Sequence, residues 1–203
     1  MISESAPLSK KEATRLHILN TAFSLASREG LDSLTIGQLA KASGMSKSGL
    51  FAHFNSRENL QIAVLDFAGA QFVERVIQPA RTQAPDTIEQ KLRLLLSNWL
   101  AWNRSFQGSC MFLDAWTERG EKEPSMQLRL KEVTRRWLDY LYRQLEQGKQ
   151  QGEFKTELDS WQCVYQIYGV YLSSHLFLSM ELETEDHQRF WQGVDGLLAM
   201  WRV

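Results

Sequence analysis

The sequence predicts an all-α protein with a small N-terminal three-helix module and a larger C-terminal helical body. Three observations carry that prediction. Apolar residues recur at three- and four-residue spacing through almost every long segment, and no segment alternates with period two over a strand length. Only four prolines occur, at positions 7, 79, 85 and 124, so long stretches are free of helix breakers. The 203 residues, 43% hydrophobic and 23% charged, supply enough apolar material for one domain or two small ones. No internal repeat or low-complexity segment interrupts the pattern.

The first helix covers residues 10–28. Leu16, Ile18, Leu19, Ala22, Phe23, Leu25 and Ala26 fill about half of its wheel, leaving Arg15, Asn20, Ser24 and Arg28 outside, and Gly30 ends it. Leu31 and Leu34 anchor the link to residues 35–54, TIGQLAKASGMSKSGLFAHF. Thr35 followed three residues later by Gln38 has the spacing of a capping box, and Ser46 opens a second short helix. Gly44 stands where a chain leaving a helix needs positive φ. Ile36, Leu39, Ala40, Met45 and Leu50 form the apolar set that packs the pair together, while Lys47, Ser48 and Gly49 in the first turn of the second helix are not core residues. This is the layout of a helix-turn-helix, whose second helix presents its N-terminal residues to a DNA groove.

Asn55 or Ser56 caps the next helix, in which Glu58 suits the positive end. Residues 60–77 are apolar almost all round, as expected of a connector buried between two bodies and ended by Pro79 and Pro85. Asp86 then starts a helix reaching residue 104. A break at 105–109 precedes an apolar-rich stretch with Cys110, Met111, Phe112, Leu113 and Trp116, and a polar loop spans 119–124. A long helix is predicted over 125–147, with Gly148 and Gly152 punctuating the following turn. Asp159 caps another helix to residue 180, and the last runs from 184 to 201. The domain boundaries that follow are 1–55 for the helix-turn-helix module, 56–78 for the connector and 79–203 for the C-terminal domain.

Net charge is −1, yet residues 1–60 carry seven Lys/Arg against five acids while the remainder carries 16 against 19. A mildly basic module on an acidic body fits nucleic acid at one end only. No apolar run approaches the roughly 20 residues of a membrane span, and the N-terminus lacks the apolar centre of a signal peptide, so a cytoplasmic location is expected. Cys110 and Cys163 stand far apart with no metal-ligand spacing, so no metal and no cofactor are expected. Of the two, Cys110, after the loop, is the better redox candidate. No nucleophile motif, glycine-rich phosphate loop or paired carboxylates argue for an enzyme.

The matching pieces at Ile18, Leu19, Ala22, Gly30, Leu34–Ile36, Leu39, Ala40, Gly44–Ser46, Gly49–Phe51, His53, Phe54, Ser56, Arg57 and Leu60 resemble the N-terminal domain of the TetR family of bacterial transcriptional regulators. The strong resemblance covers about 45 residues; the rest agrees in being helical and of the right length. The resemblance implies a homodimer of subunits with about nine helices, an effector pocket in the C-terminal domain, and repression relieved by ligand. By position it implies a DNA face of Thr35, Ser46, Lys47, Ser48, Gly49, Phe51, His53 and Arg57. Lys47 and Ser48 suit base edges, and Thr35, His53 and Arg57 suit phosphates. Position 51, commonly tyrosine in the family, is Phe here and cannot donate to a phosphate oxygen.

For a small, apolar or aromatic effector, the residue types nominate Trp99, Trp102, Phe106, Cys110, Met111, Phe112, Trp116, Trp137, Tyr140, Tyr168, Tyr171 and His175. The dimer interface is expected on the last two helices, through Trp161, Tyr165, Leu172, Leu176, Trp191, Val194, Leu198 and Trp201, with Gly193 and Gly196 permitting close approach. The resulting expectation is a ligand-responsive regulator, acting as a repressor on a pseudo-palindromic double-stranded operator as a homodimer. The alternatives are a helical adaptor or small-molecule-binding protein without operator binding and, behind it, an enzyme.

Overall fold

Ten α-helices are found among the residues that the computed structural model describes, 9–104, 111–117, 124–184 and 186–203. They are α1 Lys10–Glu29, α2 Ile36–Ser43, α3 Lys47–Phe54, α4 Arg57–Phe72, α5 Gln78–Thr82, α6 Ile88–Arg104, α7 Met111–Thr117, α8 Pro124–Gln150, α9 Ser160–Ser179 and α10 Gln188–Trp201. A π-helical turn, Val73–Ile77, joins α4 to α5. No strand occurs among the described residues; the single β-bridge pairs Phe154 with Arg202. The chain divides into two units whose bounds differ from the sequence-based ones. The first comprises the described residues of Met1–Gln71 and Ser109–Val133, the second those of Phe72–Gly108 and Thr134–Val203.

In the first unit the caps follow the sequence signals. Ser9 and Glu12 close a capping box on α1, Thr35 and Gln38 close one on α2, and Ser46 Oγ accepts from the Gly49 amide at the start of α3. Gly44 takes φ 67°, the left-handed conformation that turns the chain from α2 into α3. Asn55 does not cap α4: it ends α3 with φ 62°, and Ser56 Oγ accepts from the Asn59 amide at 3.0 Å instead. Ile18, Ala22, Leu31, Leu34, Leu39, Leu50 and Phe54 form the core with Leu60, Val64 and Leu65 of α4, and Phe23 meets Phe67 edge-on at 5.8 Å. The start of α8 lies against α4, so close that a Cβ on Gly69 would come within 3.1 Å of Val133. Arg129 pairs with Asp66 and Ser125 with Glu58 across the same contact.

In the second unit Pro79 does not end the connector. The Gln78 amide reaches back five residues to the Val73 carbonyl, and Pro79 falls in the first turn of α5, where it has no helical donor to lose. Thr87 Oγ1 caps α6 through the Gln90 amide, and Glu153 from the turn after α8 accepts from the Ile88 and Glu89 amides at 2.8 and 3.1 Å. Gly148 does not punctuate a turn; it lies inside α8, where the buried Phe154 ring packs so closely that a Cβ does not fit. The C-terminus is tied to the same corner. Arg202 holds Glu89 with two bonds of 2.5 and 2.6 Å, and the Lys155 amide donates to the Trp201 carbonyl at 2.9 Å. The bond from Arg202 is the chief reason the Glu89 carboxyl sits below the usual carboxylate range. The last helix begins at Gln188, four residues later than the sequence pattern indicates. His187 precedes it at φ 55°, and the buried Glu183 carboxylate takes the Thr184 and Arg189 amides at 3.0 Å each.

A methyl added at Gly148 would lie 2.4 Å from Phe154 Cδ2, so Gly148→Ala is expected to lower unfolding stability by about 1–3 kcal/mol, as overpacking does. Denaturant titration checks this, and an unshifted midpoint contradicts the close contact.

Candidate nucleic-acid interface and effector region

Helix α3 has an inward face of Leu50 and Phe54 and an outward face of Lys47, Ser48, Phe51 and Ala52, all four exposed. The division follows from the helical period, since positions 47, 48, 51 and 52 share one side and 50 and 54 the other. The Lys47 stem runs over the first turn of α2, its Cε 3.7 Å from where a Cβ on Gly37 would stand. Ser48 Oγ lies 3.1 Å from Ser46 Oγ, and a Cβ on Gly49 would approach the same Ser46 oxygen to 3.1 Å, so glycine keeps that cap open. Thr35 spends its hydroxyl within α2's capping box, accepting from the Gln38 amide and donating to the Gln38 side chain. The amides of the first helical turns that these caps do not satisfy are donors available to a phosphate.

The candidate phosphate contacts have internal duties. Arg57 donates from Nε to the Leu34 carbonyl at 3.1 Å and from Nη2 to the Asp32 carbonyl. Gln61 donates to the Leu31 carbonyl at 2.9 Å in a buried position. Together these two side chains of α4 clamp the link between α1 and α2. Arg15, which sequence periodicity places merely outside the first helix, donates to the His53 carbonyl at 3.2 Å and lies over the Phe54 ring at 4.8 Å. His53 itself is half-buried.

The effector candidates divide between the units. Met111, Phe112 and Trp116 belong to the first, with Trp116 49% exposed; Phe106 and Cys110 lie outside the described residues. Trp99, Trp102, Trp137, Tyr140, Tyr168, Tyr171 and His175 belong to the second. There the rings fill space rather than enclose it. Trp99 stacks on Tyr171 at 3.7 Å and meets Trp137 edge-on at 5.2 Å, and Phe72 meets Trp102 and Trp137 at 5.5 and 5.1 Å. Beside this cluster lies a cavity of about 20 Å³, bounded by Leu100, Asn103, Tyr171, Ser174, His175, Leu178 and His187. That is room for about one water molecule. Asn103 donates to the Tyr171 hydroxyl at 2.6 Å, and Ser174 Oγ lies 3.3 Å from His187 Nδ1. Cys163 is buried, and its thiol is pushed up to about 11, chiefly by burial, which leaves it protonated and inert. No group of three His, Cys, Asp or Glu poised to hold a metal occurs among the described residues.

The interface candidates also separate. Tyr165, Leu172 and Leu176 are 73%, 37% and 55% exposed along one side of α9, and Trp161 and Trp191 are half-buried. Val194, Leu198 and Trp201 are not surface residues: they are at most 3% exposed, turned into the protomer's own core. Gly193 serves that core too, since a Cβ there would meet Val170 of α9 at 3.0 Å, whereas Gly196 faces open space.

Residues 18–64 match the family described as "Bacterial regulatory proteins, tetR family", and residues 89–194 match the one described as "Tetracyclin repressor-like, C-terminal domain". The chain belongs to the TetR family of bacterial transcriptional regulators. It is 24% identical over 164 residues to a fatty acid metabolism regulator protein of Bacillus subtilis, covering 80% of this chain and 81% of that one. Over 53 residues, 25% of each chain, it is 40% identical to the helix-turn-helix transcriptional regulator AcrR of Shigella flexneri. A TetR-family regulator from Cytophaga hutchinsonii has the same fold, with a TM-score of 0.82 at 21% identity, covering 97% of this chain and 98% of that one. The protein is therefore a helix-turn-helix transcriptional regulator, and no helix among its described residues is long and apolar enough to cross a membrane.

Within this TetR-family frame, sequence reasoning missed Arg15, Gln61, Glu153 and Glu183, because each bonds to the backbone of an element or link other than its own. Arg57→Ala is expected to destabilise the chain by about 1–3 kcal/mol in the absence of any DNA, by leaving the Leu34 and Asp32 carbonyls without their donor. A variant with an unchanged unfolding midpoint would show that Arg57 is not a structural tie.

Proposed function

We propose that this regulator binds a pseudo-palindromic operator as a homodimer, with α3 of each protomer in the major groove, and acts as a repressor released by a small apolar or aromatic effector. The observation that carries the reading is the outward face of α3, where Lys47 and Ser48 stand exposed in the first turn of a helix whose inward residues are fully committed to the core. Lys47 suits the acceptors of a guanine edge, and Ser48 accepts or donates. The exposed backbone amides at the starts of α2, α3 and α4 supply phosphate contacts that fix register.

Two protomers meet, in this reading, through the exposed side of α9 around Tyr165, Leu172 and Leu176, continued by Gly196 on α10. A two-fold contact brings two reading helices to half-sites about one helical turn apart. The aromatic side chains of the second unit favour an apolar or aromatic effector, which must part the packed ring cluster to enter, since the cavity of about 20 Å³ beside it holds about one water molecule. Such a compound relieves repression only by binding one arrangement of the dimer better than the other. A bacterial repressor of this kind works in the cytoplasm, where its operator is.

Selection of bound duplexes from a random pool is expected to return a two-fold symmetric motif whose affinity falls steeply with salt. Lys47→Ala is expected to lower affinity for that motif about tenfold or more with an unchanged thermal midpoint. An asymmetric motif, or unaltered binding by the variant, overturns the assignment of α3. Leu172→Glu combined with Leu176→Glu is expected to convert a particle of twice the chain mass into a folded monomer, read by sedimentation; a dimer that persists places the interface elsewhere.

A further inference from the structure

The outward face of α3 is not uniformly polar. Its first turn carries Lys47 and Ser48, and its second carries Phe51, 54% exposed, and Ala52. Phe51 follows Lys47 by four residues and Ser48 by three, so all three point the same way. A phenyl ring at the centre of a helix's outward face leaves apolar surface in water that the unit's own core, built around Leu50 and Phe54 on the opposite side, does not cover.

Resting on the operator-binding reading, we propose that Phe51 determines sequence specificity by seating its ring against the 5-methyl group of a thymine in the major groove. The Phe51 side chain has no hydrogen-bonding atom, so it reads neither a phosphate nor a polar base edge. The thymine methyl is the one apolar feature that distinguishes base pairs in the major groove. Lys47 and Phe51 are four residues apart, about 6 Å along the helix axis, and base pairs stack about 3.4 Å apart. The thymine therefore lies one or two base pairs from the base that Lys47 contacts. The exposed Ala52 methyl, on the next position of the same face, widens the apolar patch that the thymine meets.

The test replaces thymines of the selected duplex by uracil, one symmetric pair at a time, which removes the methyl and leaves every hydrogen-bonding group in place. Wild-type protein is expected to bind about fourfold more weakly per half-site at one thymine pair, the size of a lost buried methyl contact, and to be indifferent at the others. Phe51→Ala is expected to bind the all-thymine duplex about fourfold more weakly per half-site, about 16-fold for the dimer, and to be insensitive to uracil at that same pair. Phe51→Leu, which keeps an apolar side chain, is expected to restore part of the uracil sensitivity. Because Phe51 lies outside the core, thermal unfolding of both variants is expected to match wild type. Indifference of the wild-type protein to every uracil, or full uracil sensitivity in Phe51→Ala, overturns the assignment of Phe51 while leaving operator binding intact. A wild-type chain that selects no duplex overturns the operator reading itself, and this inference with it.

Discussion

The backbone carbonyls of the short link between α1 and α2 are the constraint on which the reading module depends. Leu31 and Leu34 are fully buried, so their peptide groups cannot rely on water; the turn pairs the Leu34 amide with the Leu31 carbonyl at 3.3 Å, and no regular element runs through residues 30–35. Gln61 and Arg57, one turn apart on α4, reach the Leu31, Asp32 and Leu34 carbonyls. The buried Leu34 carbonyl left unsatisfied would cost about 1–3 kcal/mol, so the bonds hold α4, the link and the start of α2 as one piece. Arg15 adds a second tie, from α1 to the end of α3. Three helices of 20, 8 and 8 residues are thereby positioned well enough to present a fixed outward face.

The second unit solves a similar problem with carboxylates. Glu153 caps α6 and Glu183 caps α10, each from outside the helix that it serves, where a negative charge meets unpaired amides and the positive end of the helix dipole. Glu153 also sits beside the Phe154–Gly148 contact, and Arg202 closes the same corner through Glu89. The start of α6, the end of α8 and the C-terminus are thus one knot of interactions, and the aromatic cluster of Trp99, Trp137 and Tyr171 packs in the same unit.

What the sequence made legible were features whose two partners lie within a few residues of each other. The caps at Thr35, Ser46, Ser56 and Asp159 and the left-handed Gly44 are of this kind, because the helix start and its capping side chain are written side by side. The division of α3 into inward and outward faces was equally readable from its period. Features set by distant neighbours were not readable. Gly148 looks like a turn glycine until Phe154 is placed on it, and Pro79 looks like a stop until the π-helical turn before it carries the helix on to Thr82. Val194, Leu198 and Trp201 form a clear apolar stripe, but a stripe does not say which neighbour covers it, and here the protomer's own core does. The aromatic residues were nominated from their type as the lining of an effector pocket, whereas their mutual stacking depends on tertiary placement that the sequence does not show.

Operator binding through the helix-turn-helix requires the outward face of α3 to be the surface that meets DNA. Amide hydrogen exchange of the full chain, with and without a duplex recovered by selection, tests this most directly, because it reports on every segment at once. Added duplex is expected to slow exchange in the first turns of α2, α3 and α4, across residues 35–58. Protection confined to α9 and α10, with residues 35–58 exchanging as in the free protein, would contradict it.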